Sequence, residues 1–301
     1  MKKLLLIVNP KSGRARMRSE LLPVTEILSQ KYDISIYVTS AIGDATERVK
    51  RIEEKEFDLI VVCGGDGTLN EVVTGLMITK KQINVGYIPA GTLNELSGSL
   101  GISRIITTAA KDILNGKVTT LDIGKFEDRY FSYTASFGAF TDASYSANQD
   151  IKNALGQAAY FFEGIKSLGN IKPLRLKFEA DDKIYEGDYI FGAISNSMSI
   201  GGIVKFQKAN VTLNDGLFEV MLVKNPQTFA EFQIIVDGII KRELNREGIE
   251  FFHTSRITVE GSEDIPWTLD GEYCQGNKKI VIENLHSALH LIVPDCGDKP
   301  E

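Results

Sequence analysis

The first 120 residues alternate short apolar runs with segments of helical period. Leu4–Val8, Ile34–Thr39, Leu59–Cys63 and Asn84–Ile88 are rich in Ile, Leu and Val, as expected of strands buried on both faces. Arg16–Gln30, Ala45–Glu56 and Leu69–Thr79 between them read as helices. Pro23 falls inside the first and is expected to kink it or move its start. Such alternation predicts a parallel sheet with right-handed crossovers. After Lys117 the texture changes. Thr119–Lys125, Tyr130–Ser136, Leu174–Ala180, Tyr189–Ser195, Phe218–Val223, Phe251–Val259 and Lys279–Ile282 read as strands, and only Lys152–Leu168 and Thr228–Lys241 as helices. A mostly β second domain, sandwich or barrel, is predicted. No low-complexity linker separates the halves, so a close cleft between them is expected.

Length agrees with this division, since 301 residues at about 150 per domain give two domains. Composition excludes a disordered chain, with 25% charged and 43% hydrophobic residues. The longest apolar runs, Leu4–Val8 and Leu59–Cys63, fall far short of the ~18 residues that span a bilayer. The first also falls short of a signal-peptide core of about 7 apolar residues. Cys63, Cys274 and Cys296 have no metal-ligand spacing and leave an odd count, which argues against a disulfide framework. A soluble, cytosolic chain is expected. Its net charge of −6 divides into +3 over residues 1–120 and −9 over the rest. That balance disfavours a nucleic-acid binder, and it leaves the first half the more hospitable to a small polyanion.

The strongest local signal is Val62-Cys63-Gly64-Gly65-Asp66-Gly67-Thr68-Leu69-Asn70-Glu71. A strand ends, three glycines follow within four residues, and a helix begins near Thr68. Glycines there permit close backbone approach, and a helix N-terminus offers N–H groups to an anion. No Gly-Lys-Ser/Thr follows, so this is not a Walker loop, and Asn70 stands where a dinucleotide fingerprint has its third glycine. Asp66 beside phosphates would repel them unless a cation such as Mg²⁺ intervened. The competing reading is a tight turn with Asp or Thr as helix cap.

A repetition favours the ligand. Gly67-Thr68-Leu69-Asn70-Glu71 recurs as Gly91-Thr92-Leu93-Asn94-Glu95, after another strand and Pro89-Ala90. In a parallel sheet both turns open on the carboxyl edge, where ligands bind. Two helix N-termini with threonine hydroxyls are expected to flank one phosphate chain there. Asn9-Pro10-Lys11-Ser12-Gly13 would supply a third loop on that edge.

Together with Leu269-Asp270-Gly271-Glu272, these motifs in this order resemble the diacylglycerol kinase catalytic-domain family, nearest its bacterial soluble lipid kinases. The similarity extends through Lys152–Tyr160 and Gly201-Gly202 to Asn214-Asp215-Gly216-Leu217. The resemblance implies an α/β, ATP-binding domain over residues 1–121, completed by 289–301, and a β-sandwich lipid-substrate domain over 122–288. The active site would lie in the cleft between them, and the last strand, Leu289–Val293, would return to the first domain. It implies ATP against Asn9, Ser12, Thr39, the run Gly65, Asp66, Gly67, Thr68, Leu69, Asn70 and Glu71, and Thr92 and Asn94. Asp66 would organise the Mg²⁺ carried by ATP, and Glu272 would be the general base for the acceptor hydroxyl.

The resemblance also implies a structural Mg²⁺ on Asp215 and the carbonyls of Thr212 and Leu217. Locally, Asn214-Asp215-Gly216 reads as a hairpin turn and Asp270-Gly271 as a polar turn after Trp267. One departure stands out. Similar kinases continue Gly-Thr-x-Asn with Asp, an aromatic, Ala and Arg, where this chain has Glu95, Leu96, Ser97 and Gly98.

The expected activity is ATP- and Mg²⁺-dependent phosphorylation of diacylglycerol or a related lipid presented by a membrane, by a cytoplasmic protein that associates peripherally and is compatible with a homodimer. The alternatives are an NAD kinase, which shares Gly-Gly-Asp-Gly-Thr, and a nucleotide- or lipid-binding regulator without turnover. Ala158–Phe162 reads as a lipid-lining stretch or a buried helix face. Lys166, Lys172, Arg175 and Lys177 read as a solvated charged face or an anionic-lipid contact. His253, His286 and His290 lack metal or triad spacing, and Cys63 reads as a small buried hydrophobe.

Overall fold

Chain order begins with β1 (Lys2–Val8), α1 (Met17–Leu28), β2 (Tyr32–Val38), α2 (Asp44–Lys50), β3 (Leu59–Gly64) and α3 (Asp66–Thr79). β4 (Asn84–Pro89), α4 (Glu95–Ser99), α5 (Ile106–Asn115) and β5 (Lys117–Phe126) follow. The structure, a computed structural model, describes residues 1–15, 17–92, 94–138, 172–197, 199–200, 204–205 and 212–295. The predicted helix Lys152–Leu168, with Ala158–Phe162 inside it, and the Gly201-Gly202 pair lie outside the described residues. The chain divides into two units, Met1–Ile123 with His286–Glu301, and Gly124–Leu285.

The second unit continues through β6 (Arg129–Phe131), β7 (Thr134–Gly138), β8 (Leu174–Ala180), β9 (Lys183–Ser195) and the short pair β10 (Ser199–Ile200) and β11 (Val204–Lys205). Then come β12 (Phe218–Lys224), α6 (Phe229–Lys241), β13 (Ile249–Thr254), β14 (Arg256–Gly261), β15 (Pro266–Leu269), β16 (Glu272–Gln275) and β17 (Lys279–Val293). The end of β17 belongs to the first unit, where Leu291 and Ile292 pair with Val85 and Gly86 of β4.

In the first unit β2, β1, β3, β4 and β17 pair in that order and in parallel, but β5 also pairs with β17, and the sheet as a whole is mixed rather than the strictly parallel one expected. Leu4 to Val8 and Leu59 to Cys63 are all buried, which explains their unbroken apolar runs. α3 buries Leu69, Val72, Val73 and Leu76 at the spacing of one helix face. A Cβ on Gly75 would stand 2.7 Å from Val49 Cβ, so this glycine lets α2 approach α3. α5 escapes the sequence reading, although its buried Ile106, Ala109, Ala110 and Ile113 follow the same spacing. Pro23 sits inside α1; it can offer no N–H to the preceding turn. α2 ends at Lys50 rather than Glu56, because the acidic run turns back on itself. Lys55 takes φ 64°, Glu56 accepts the Glu53 N–H at 2.8 Å, and it pairs with Arg48 at 3.3 Å.

The second unit is antiparallel through β7, β8, β9, β12, β13, β14, β15 and β16. Its main core gathers Phe137, Phe178, Tyr189, Trp267 and their neighbours, with Phe137 edge-on to Trp267 at 4.9 Å. A Cβ on Gly192 would stand 2.1 Å from the Phe137 ring, so that strand must be bare there. Two predicted strands divide. Tyr130–Ser136 becomes β6 and β7 because the Asp270 carboxylate takes the N–H groups of Ser132, Tyr133 and Thr134. Phe251–Val259 becomes β13 and β14, which pair with different neighbours, β13 with β12 and β14 with β8 and β17. The Thr254 hydroxyl closes the intervening turn by donating to the Arg256 carbonyl at 2.7 Å.

Candidate active site

Strand order in the first unit reverses direction between β1 and β3. The chain leaves these two strands towards opposite sides, and their carboxyl edge is the position at which open α/β sheets bind ligands. The loops there are stitched together. Asn9 Nδ2 donates to Thr68 Oγ1 at 2.9 Å, Asn9 Oδ1 accepts the Lys11 N–H at 3.0 Å, and the Asn9 N–H donates to the Cys63 carbonyl at 2.9 Å. Ser12 opens a short 3-10 turn and donates its N–H to the Asn9 carbonyl. Thr39 is buried at the end of β2, with its N–H on the Val8 carbonyl at 2.9 Å.

The repeated pentapeptides are not equivalent, which corrects the expectation of two helix N-termini with matched threonines. Gly67 to Glu71 lie inside α3. Gly91 to Asn94 precede α4, and Asn94 takes φ 50° as the residue before the helix. Thr68 is buried and bonded to Asn9, whereas Thr92 is exposed. Leu69 is in the core, and Asn70 Oδ1 accepts from the Thr74 hydroxyl at 3.2 Å. Asn94 closes its own loop, accepting the Gly91 N–H at 3.0 Å and donating to the Gly91 carbonyl at 2.8 Å. The Tyr87 hydroxyl also donates to it at 3.2 Å. Glu71 ties α2 to α3 by accepting the N–H groups of Gly43 and Ala45 at 2.8 and 3.0 Å. The two glycine loops touch: a Cβ on Gly91 would lie 2.6 Å from Gly65 Cα.

Asp66, the first residue of α3, joins the two loops. Its Oδ2 accepts the Glu95 N–H at 3.1 Å, while its Oδ1 is buried with no hydrogen-bond partner. Burial raises its pKa, against the pull of N–H groups from Glu95, Asn94 and Leu96 and of the Tyr87 hydroxyl. A buried carboxylate oxygen without a donor is costly unless a cation or donor meets it. Nothing in the fold requires Gly67 to be glycine. A Cβ there would meet no atom within 4 Å, and alanine in a helix is favoured by ~1 kcal/mol. Its bare peptide, at the N-terminus of a fourteen-residue helix, suits close approach by an anion carried with a cation. The residues present thus fit a nucleotide with its Mg²⁺.

In the departing segment, Leu96, Ser97 and Gly98 carry no charge. Leu96 and Ser97 are buried, and a Cβ on Gly98 would meet nothing within 4 Å.

In the second unit, Asp270 and Gly271 form the two-residue loop between β15 and β16, with φ 50° and 85°. Two consecutive positive φ values define the hairpin turn that Asp-Gly favours, so the polar-turn reading holds for these two residues. Glu272 follows, exposed, at the start of β16. Asp270, which the sequence reading treats only as part of a polar turn, holds a distant segment of the chain. Its carboxylate accepts from Ser132, Tyr133 and Thr134 at 2.6, 2.9 and 3.0 Å, and its carbonyl accepts the Tyr133 hydroxyl at 2.7 Å. The Asp215 turn is exposed. Asp215 Oδ1 accepts the Leu217 N–H at 3.0 Å, Gly216 takes φ 80°, and Thr212 stands nearby in sequence, also exposed. Among the described residues, no group of three or more His, Cys, Asp or Glu side chains is gathered to hold a metal.

A fold of two such units, with a glycine-loop site at the sheet's reversal, defines a class of kinases. The Diacylglycerol kinase catalytic domain matches residues 3–126, and the YegS C-terminal NAD kinase beta sandwich-like domain matches residues 134–293. A diacylglycerol kinase of Bacillus subtilis (strain 168) is 35% identical over 297 residues, covering 98% of this chain and 97% of its own. A diacylglycerol kinase of Staphylococcus epidermidis is 31% identical over 96% of this chain and 91% of its own. The crystal structure of a diacylglycerol kinase from Bacillus anthracis str. Sterne superposes with TM-score 0.74 at 26% identity, covering 97% of each chain. This chain belongs to the family of bacterial soluble lipid kinases built from those two domains.

Proposed function

We propose that this protein transfers the γ-phosphoryl group of ATP, with Mg²⁺, to a hydroxyl of diacylglycerol or a related lipid. The observation that carries the reading is the unpartnered, buried Oδ1 of Asp66 at the sheet's reversal, beside the bare first turn of α3. Membership of the family supports the kinase class. Asp66 would hold the cation, the N–H groups at the start of α3 the phosphates, and Asn9 and Thr68 the loop around them. Mg-ATP, when bound, supplies the electrophilic phosphoryl group and offsets its charge. Glu272 would take the proton of the acceptor hydroxyl as its oxygen attacks, leaving the phosphorylated lipid and ADP. Asp270 holds the Glu272 turn in place through its three N–H contacts. A second, structural Mg²⁺ would sit on Asp215 with the carbonyls of Thr212 and Leu217. No helix among the described residues is long and apolar enough to cross a membrane, so in this reading the protein takes its acceptor from the membrane surface.

The test is transfer of label from γ-labelled ATP to lipid in mixed micelles. Wild type should give an organic-soluble product. Glu272→Ala should lower kcat by about 10²–10⁴-fold with ADP affinity unchanged. Label on NAD in place of lipid would reject the reading, as would lipid labelling that Glu272→Ala leaves intact. Gly67→Ala makes a second check on the nucleotide loop. It should raise stability by about 0.5–1 kcal/mol in a thermal melt, and weaken ADP binding in calorimetry.

A further inference from the structure

From Val85 to Ile88, β4 is buried, and its side chains there are apolar but for one atom, the hydroxyl of Tyr87. Phenylalanine would fill the same space and bring no polar atom to satisfy. Tyr87 lies opposite Val62 of β3, two residues before the carboxyl end of its own strand at Pro89. With 1% exposure, its hydroxyl must be met by the protein.

Two groups meet it, one from each glycine loop. The hydroxyl donates to Asn94 Oδ1 at 3.2 Å, and Asn94 in turn closes the Gly91 loop through the Gly91 N–H and carbonyl. The Asp66 carboxyl is the second neighbour and also draws on this hydroxyl. The other donors around that carboxyl are backbone N–H groups, of Glu95, Asn94 and Leu96. Together they hold it from the protein's side, and Oδ1 keeps no partner. A phenol carries its proton at neutral pH, and burial beside Asp66 pushes its pKa further up, so Tyr87 stays a donor. A Cβ on Gly91 would stand 2.6 Å from Gly65 Cα; the two loops are in contact, and one side chain can serve both.

We infer that Tyr87 is a positioning residue for the nucleotide: its hydroxyl couples the Gly91 loop, through Asn94, to the Asp66 carboxyl and keeps Oδ1 turned to the cation that ATP carries. Without the hydroxyl the ring still fills the core and Asn94 still closes its loop, but Asp66 is left with backbone donors alone. Its carboxyl can then turn, and the oxygen meant for the cation is no longer held in place. The effect falls on the metal-bearing phosphates rather than on the acceptor, because both partners of Tyr87 belong to the glycine loops. This inference rests on the lipid-kinase reading above, in which Asp66 holds that cation.

The experiment is a double-mutant cycle of Tyr87→Phe with Asp66→Asn, read by calorimetry of ADP with and without Mg²⁺ and by kinetics in mixed micelles. Tyr87→Phe should weaken Mg-ADP binding about tenfold, the equivalent of one hydrogen bond to a charged group, and leave metal-free ADP binding unchanged. KM for Mg-ATP should rise by the same factor, with KM for dioleoylglycerol unchanged. In the Asp66→Asn background, Tyr87→Phe should change Mg-ADP affinity by less than about twofold, because the two residues act as one unit. A hydroxyl that serves the core alone would lower the thermal midpoint and leave Mg-ADP affinity untouched. That result, or an equal loss in both backgrounds or with and without Mg²⁺, overturns the inference and leaves the kinase reading standing. A wild-type protein whose ADP affinity ignores Mg²⁺ and that labels no lipid overturns both.

Discussion

Asp66→Asn is expected to cut phosphoryl transfer by about 10²–10³-fold, the usual cost of deleting one charge-stabilising group at a reacting phosphate, without loss of folding stability. The two halves of this result have one cause. Asp66 Oδ1 is buried with no donor, and burial raises the carboxyl's pKa in the folded protein. An acid whose folded pKa exceeds its unfolded one stabilises the protein while protonated, and that contribution is lost as pH rises through the folded value. Above that folded value the ionised Asp66 therefore opposes folding, and a bound cation would relieve it. Asparagine keeps an oxygen for the Glu95 N–H and carries no charge. In thermal melts without nucleotide, the variant should equal or exceed the wild type at pH 7, and this advantage should shrink towards acid pH. Adding Mg-ADP should stabilise the wild type more than the variant. A variant that melts lower at pH 7, or turns over normally, would refute this assignment of Asp66.

Asp270→Ala should be the most destabilising single substitution near the site. It strips three backbone N–H groups, on Ser132, Tyr133 and Thr134, of their common acceptor. Hydrogen bonds to a charged partner contribute about 1.5–3 kcal/mol each, but Asp270 is only half-buried, so water can replace part of what is lost. A net loss of about 3–4 kcal/mol follows, and it should lower the melting temperature by about 10 °C. Activity should fall as well, because the same carboxylate fixes the turn that carries Glu272. Asp270→Asn should fall between, since Asn-Gly suits the hairpin turn and one acceptor oxygen survives. A thermal midpoint for Asp270→Ala within about 2 °C of wild type, less than 1 kcal/mol on the same scale, would show that the clamp carries little energy.

β1, β3 and β4 were legible to within two residues, because strands buried on both faces need unbroken apolar runs; β2 was placed equally well but expected to be buried, whereas it is the edge strand and leaves Ile36 and Val38 about half exposed. α3 and α6 were legible from their period, and α6 also from its cap, with Thr228 accepting the Glu231 N–H at 3.2 Å; the Asp or Thr cap considered for α3 is absent, its N-cap being Gly65. The three loops that meet at the reversal of the sheet were legible too, since loops that expose backbone N–H groups need glycine and small polar residues. α5 was missed because its threonines dilute a short apolar stripe. The split of Tyr130–Ser136 was invisible because its cause, Asp270, lies more than 130 residues away.

The repeated Gly-Thr-Leu-Asn-Glu shows where sequence stops deciding. Its copies stand 24 residues apart, but the sheet pairs Gly64 with Pro89, 25 residues apart. One copy is therefore helix and the other is loop, with Gly91 packed on Gly65 and Asn94 turned inward. What the sequence by itself determined was which residues reach the carboxyl edge, because strand pattern and turn chemistry act over a few neighbours. Which oxygen of Asp66 is left without a donor, and which distant N–H groups the Asp270 carboxylate takes, was decided by tertiary structure alone. Those facts depend on register and on partners far apart in the chain, and no local spacing encodes them.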